Sequence, residues 1–177
     1  MKLAARNPVV LADALLADGP DPEQAEALML FGRFVGEWEC DWTGYDWDGE
    51  ARTERGEWIF GWVLDGRAVQ DVWIIPERGR RARGEGEYGT TIRVYEPLLD
   101  AWLVTWNGPV GRARRTFVAR AVDDAIVQEG RTEEGYPLRW IFSEIEEDSF
   151  TWRGVCSRDG EKTWHLREEM RVRRKAG

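Results

Sequence analysis

One carboxylate falls where strand alternation buries its neighbours. In "KTWHLREEMRVRR", residues 162–174, Glu168 shares its parity with Leu166, Met170 and Val172. A carboxylate carried into an aromatic interior must be paired or take a raised pKa, and a raised pKa suits general acid–base work. Arg115, of the same parity as Phe117, is the candidate partner. Two readings follow: a satisfied ion pair or wet rim, or a couple that anchors a ligand or catalyses. Gln70 and Glu144 are further polar candidates for the inner face. The sole histidine, His165, has no His/Cys/carboxylate cluster to join, so no metal site is expected. Its parity groups it with Arg167 and Glu169 on a charged face, with Trp164 and Leu166 pointing in; a one-residue bulge would reverse this. Cys40 and Cys156 share the inward parity without a nearby base and read as small core residues. Ser143, Ser149 and Ser157 lack a glycine elbow. Arg80, Arg81 and Arg83, with Arg112 and Arg114 across the same rim, form a basic cluster. It is either a lure for a carboxylate-bearing ligand or a solvated hairpin loop.

Composition limits what surrounds these residues. A length of 177 residues fits one domain with a substantial core. Eleven tryptophans are the outlier, each bringing a large apolar surface and an N–H that needs a partner. A formal charge of −8 repels phosphate backbones and anionic surfaces, which argues against nucleic acid. No apolar run approaches a membrane span, and Asn7, Pro8 and Asp13 interrupt any signal-peptide core. With two cysteines far apart, a reduced, cytoplasmic protein is the expectation.

The elements that must position the candidates follow from periodicity. Residues 1–35 read as a helical cap. Asn7-Pro8 starts "VVLADALLA", Gly19-Pro20 stops it, and Asp21-Pro22 starts "PEQAEALMLFGRF" with Gln24 as the reciprocal acceptor of a capping box. The second helix turns Ala25, Leu28, Met29 and Phe31–Phe34 to one side. From Gly36 the period becomes two, and residues 36–174 hold about ten strands with short turns and no crossover helices. The expected fold is all-β, an antiparallel up-and-down β-barrel preceded by one or two N-terminal helices.

Parity gives an inner face of Trp38, Trp42, Trp58, Trp62, Trp102, Trp106, Phe117, Trp140 and Trp152, with Gln70 beside them, and a charged outer face. Trp73 takes the opposite parity from Gln70, as an outer contact or a bulge. Meander topology sorts the turns by end. Those after strands 2, 4, 6 and 8 are tight and helix-covered, whereas the other rim carries "ERGRRARGEGE" and "GPVGR" and is expected to be open.

"LFGRFVGEWECDWTGYD" resembles the opening motif of calycin-type barrels, in which a short helix leads into Gly-x-Trp, here Gly36-Glu37-Trp38. "VLDGRAVQDVW", "YGTTIRVYEPLLDAWLVTW" and "DGEKTW" are similar to a family of small bacterial lipocalin-like proteins; the likeness covers roughly residues 28 to 172. The resemblance implies a barrel of eight to ten strands around a cavity. Wider relatives bind fatty acids, retinoids or haem, and a few similar barrels are cofactor-free cyclases. Haem binders of the group use a late-strand His, which makes His165 the residue for that alternative; otherwise no cofactor is expected.

Three function classes remain. The first is binding of a small apolar or aromatic molecule within the tryptophan-lined barrel. The second is a cofactor-independent cyclase or isomerase using Glu168 and Arg115. The third is a non-ligand role in which tryptophan fills the barrel and the outside meets other proteins. A homodimer is the default oligomer.

Overall fold

The computed structural model describes residues 9–176. The Asn7-Pro8 start lies outside them. Two short helices, α1 (Val9–Leu15) and α2 (Ala25–Gly32), precede ten strands: β1 (Gly36–Tyr45), β2 (Ala51–Val63), β3 (Ala68–Ile75), β4 (Glu87–Glu96) and β5 (Ala101–Gly108), then β6 (Ala113–Val122), β7 (Ala125–Arg131), β8 (Pro137–Ser143), β9 (Ser149–Cys156) and β10 (His165–Arg174). Each strand pairs antiparallel with its sequence neighbours, and β1 pairs with β10, so the meander closes without an edge. Closure satisfies the backbone of both end strands, the reason a sheet of this length curls instead of staying open.

Helix α2 is shorter than its hydrophobic pattern. Gln24 stands at its N-cap without a side-chain hydrogen bond. Asp21 instead holds the preceding turn, its Oδ1 accepting the Glu23 amide at 3.1 Å. Leu28, Phe31 and Phe34 are buried, whereas Met29 is exposed, against the expected helix face.

The N-terminal segment is fastened to the β2–β3 end. The Leu64 amide donates to Leu15 at 2.9 Å, the Ala17 amide to Trp62 at 3.0 Å and the Asp21 amide to Gly66 at 3.1 Å. Gly66 has a positive φ of 75°, and a Cβ there would run into the Gly19 and Asp21 backbone. Glycine is thus required twice over, for the turn and for the docking of the segment that plugs this end.

Phe31 and Phe34 reach from the plug into the barrel. Phe31 meets Trp102 edge-on, centroids 5.0 Å apart, and Phe34 packs on Phe142 and Phe150 at 5.0 and 4.7 Å. Trp38, the third residue of β1, donates its indole N–H to the Phe34 carbonyl at 2.6 Å. The Arg174 guanidinium covers the Trp38 ring at 4.1 Å and donates to Val35 O at 3.1 Å, tying the last strand to the first. This half of the barrel is solid with aromatic side chains.

Within that apolar packing lies a buried ion pair. Arg93 of β4 donates to Asp71 of β3, their side chains 1% and 0% exposed. The guanidinium lies over Phe31, Phe60 and Phe142 at 4.9, 5.5 and 5.8 Å. Cation–π contact and one carboxylate replace its hydration.

Candidate functional site

The far half of the barrel is open, and glycine opens it. Directly paired residues share a sheet face, so the register places Gly44, Gly56, Gly89, Gly108, Gly130 and Gly154 inward, on six different strands. Aromatic rings lie over five of these positions, whereas Gly56 faces Ile75; Gly44 and Gly154 are cavity walls. A Cβ on Gly44 would strike Trp42, on Gly89 Trp106, on Gly130 Phe117, and on Gly154 would press Trp152 at 3.1 Å. Rings that stood across the lumen would fill it. Laid flat over glycine, they leave a cavity of about 1090 Å³.

The cavity opens at the rim formed by the β1–β2, β3–β4 and β7–β8 connections, opposite the helical plug. Trp42, Trp73, Trp140 and Leu138 are its main apolar walls, with Trp47 at the mouth. Trp140 stacks on Phe117 at 4.2 Å and meets Trp152 at 5.5 Å; Trp73 meets Trp106 at 5.9 Å. The wall rings therefore rest on a second layer of rings.

The tryptophans predicted to line a pocket divide on this geometry. Trp42 and Trp140 line it. Trp38, Trp58, Trp62, Trp102, Trp106, Trp152 and Phe117 are buried beneath it or in the closed half, where they fill the barrel. Gln70 and Trp73 exchange places relative to expectation. Trp58 pairs with Trp73 and Gly61 with Gln70, so Trp73 faces in and Gln70 faces out. Gln70 donates to Thr90 Oγ1 at 3.0 Å and borders an outer groove of about 600 Å³. The hairpin around Asp65-Gly66 sets this register, and it carries Asp71 inward with Trp73. Sequence patterning missed Asp71 and Arg93 because alternation assigns charge to the outside.

A bulge re-aims the start of β10. The register with β9 shifts between Leu166 and Glu168. Leu166 pairs with Val155, an outward position, instead of pointing in as its parity predicts. Trp164 is also outside, under the Arg139 guanidinium at 4.2 Å. Arg167, expected outside, lines the cavity. His165 shares the register of Cys156 yet is exposed at the rim, edge-on to Trp47 at 5.6 Å. It stands beside the mouth and is not one of the cavity walls.

Glu168 faces inward as its parity predicts, opposite Gly154 and Gly44. Its Oε2 accepts the Trp42 indole N–H at 3.0 Å. Arg115 lines the same cavity but pairs with Glu133, Nε to Oε1 3.2 Å, so the expected Glu168–Arg115 ion pair does not form. No cation forms a salt bridge with Glu168 among the described residues. Burial pushes the Glu168 carboxyl above its ordinary value, against the opposing pull of the Trp42 hydrogen bond and of Arg115 and Arg167.

The folded state therefore holds the Glu168 proton more tightly than the unfolded chain. The associated stability is complete in acid, below the ordinary glutamate value of about 4.3, and is lost as pH rises through the raised folded value. Glu168→Gln keeps an acceptor for Trp42 and removes that loss. Its melting temperature is expected to exceed that of the parent at neutral pH and to converge with it in acid. Trp42, Arg115, Arg167 and Glu87 are the groups that bear on this site. A variant that melts lower at neutral pH would show that the charge is stabilised in place.

The remaining candidates serve structure or stay at the surface. Cys156 borders the cavity, but burial raises its thiol pKa, as it does that of Cys40. Glu144 is exposed, accepting from Thr151 Oγ1 at 2.7 Å. Ser157 donates to Asp159 at 2.9 Å in the β9–β10 loop. Arg80 is paired with Glu54 at 3.6 Å and Arg81 donates to the Glu85 carbonyl at 2.7 Å. Arg112 and Arg114 border the outer groove. The predicted basic cluster thus does not converge on the cavity. Among the described residues, no three His, Cys, Asp or Glu side chains form a metal-binding group, and no helix is long and apolar enough to cross a membrane.

Fold and site together define a closed ten-stranded antiparallel barrel with one filled end and one open, tryptophan-walled end. No family model matches the chain, and a search of curated proteins finds no match.

Proposed function

We propose that the protein binds a small apolar or aromatic molecule inside the open half of the barrel. The observation that carries this reading is the cavity of about 1090 Å³ between Trp42, Trp73 and Trp140. Ligand sites are typically concave, apolar and built with a few convergent polar groups. Here one buried polar group on the wall is Glu168, which accepts the Trp42 indole N–H. Membership in the calycin-type barrels accords with the helix leading into Gly36-Glu37-Trp38 and with the closed antiparallel barrel.

Titration with Nile red, a neutral apolar fluorophore, tests the reading. A saturable one-site enhancement is expected. Cys156→Trp, which places an indole in the cavity wall, is expected to weaken it at least about tenfold, some 1.4 kcal/mol. Gln70→Ala, on the outer face, leaves it unchanged. Binding indifferent to Cys156→Trp would place the dye elsewhere and remove the reading.

A second reading, acid–base catalysis on a bound substrate, is favoured by the raised pKa of a cavity carboxylate without an ion-pair partner. Arg115 is paired with Glu133, so the reading rests on Glu168, the cavity carboxylate whose pKa burial raises.

A further inference from the structure

The charge distribution around the cavity narrows the ligand class. Its lining carries Asp46, Glu50, Glu54, Glu85, Glu87 and Glu168 against Arg52, Arg115 and Arg167. The three arginines are engaged: Arg115 with Glu133 at 3.2 Å, Arg52 over the Trp42 ring at 5.6 Å, Arg167 over the Trp47 ring at 4.1 Å. Of the long-loop and opposite-turn arginines, Arg80 alone reaches a lining acid, Glu54 at 3.6 Å; Arg81, Arg83, Arg112 and Arg114 are not cavity walls, and the lining stays net acidic.

Glu168 is set apart by its surroundings: it faces Gly154 and Gly44 across the register, and burial raises its carboxyl pKa. One of its oxygens accepts from Trp42, and no hydrogen bond to the other is formed among the described residues. Trp73 and Trp140 line the same cavity. A carboxylate acceptor among aromatic faces in a net-negative cleft recognises an organic cation.

We propose that the ligand is an amine: an apolar or aromatic body carrying a protonated primary ammonium group that bonds Glu168 and lies against Trp73 and Trp140. This rests on the cavity-binding reading above and specifies its chemistry. The ammonium would supply the direct ion pair that Glu168 lacks, since Arg115 bonds Glu133 and acts on Glu168 only at a distance. With the charge compensated, the carboxyl pKa falls on binding, so an amine that enters near the raised value displaces a proton from Glu168.

Three probes of matched shape test this by calorimetry at near-neutral pH: tryptamine, its alcohol tryptophol, and the acid indolepropionate. Tryptamine is expected to bind roughly tenfold or more tightly than tryptophol, with indolepropionate the weakest. Glu168→Gln is expected to bring tryptamine down to the level of tryptophol, its fold checked by circular dichroism and its melting temperature. Glu129→Gln, on the outer face of β7, leaves the preference intact and separates the site from the general attraction of an acidic protein. Equal affinity for tryptamine and tryptophol, tighter binding of indolepropionate, or an amine preference that survives Glu168→Gln would overturn the amine assignment alone. Failure of all three probes together with Nile red would overturn the cavity reading as well.

Discussion

Asp71→Ala is expected to destabilise the protein by about 3–5 kcal/mol, read from urea or thermal unfolding. The substitution leaves Arg93 charged and buried. Its guanidinium is enclosed by Phe31, Phe60 and Phe142, none of which accepts a proton, and its side chain is 1% exposed. Asp71 also accepts the Thr91 amide at 3.3 Å, so that backbone donor loses a partner too. Removing both charges has a different consequence. A buried pair repays little beyond its own desolvation, so Asp71→Leu with Arg93→Met should recover most of the loss. The double variant therefore separates the cost of an orphaned charge from the cost of lost packing. A single-variant loss below about 1 kcal/mol would mean that water reaches Arg93, and that the closed half is less solid than its ring contacts describe.

Trp102→Ala is expected to cost a comparable amount, about 3–5 kcal/mol, while leaving the cavity walls in place. Trp102 is 1% exposed, meets Phe31 edge-on and packs with Tyr95 at 5.8 Å. Truncation leaves a hole between plug and barrel that neighbouring rings, already in contact with one another, cannot close. Trp42→Ala is the contrast. Trp42 stands at the cavity wall, half-buried, so its loss enlarges an existing space and costs less stability. It also strips Glu168 of its indole donor, so its main effect falls on ligand binding. Unfolding curves and Nile red titrations on both variants read the two effects separately. Equal destabilisation by the two would deny the division of the tryptophans into those that fill and those that line.

Much of this molecule is legible in its residues. Ten strands announce themselves by period-two alternation broken at Asp48-Gly49, Asp65-Gly66, Asp123-Asp124 and similar turns, and all ten form. The same alternation sends Glu168 inward, and loop lengths distinguish the open rim from the plugged one. Even the pairing of Trp58 with Trp73 is implicit in the hairpin, since Val63 pairs with Ala68 across the Asp65-Gly66 turn. Hydrophobic pattern obscured it: accepting Trp73 as inward meant accepting Asp71 there too. A pattern of polarity cannot show that a charge enters a core together with its partner from the next strand.

What residue order alone determined was the meander, its closure and the face on which most of the aromatic side chains lie, because these follow from a two-residue period and short turns. Tertiary structure decided what those side chains do. Phe31 and Phe34 enter from outside the strands and turn one half of the barrel into solid core. Inward glycines on six separate strands stand in the other half, and rings lie over five of them. The bulge before Glu168 turns Leu166 out and Arg167 in, and Glu133 reaches Arg115 from the β7–β8 loop. Each of these depends on which strands and loops become neighbours around a closed circumference. Strand periodicity specifies the face a side chain takes, whereas space and counter-charge are set by what stands across the lumen.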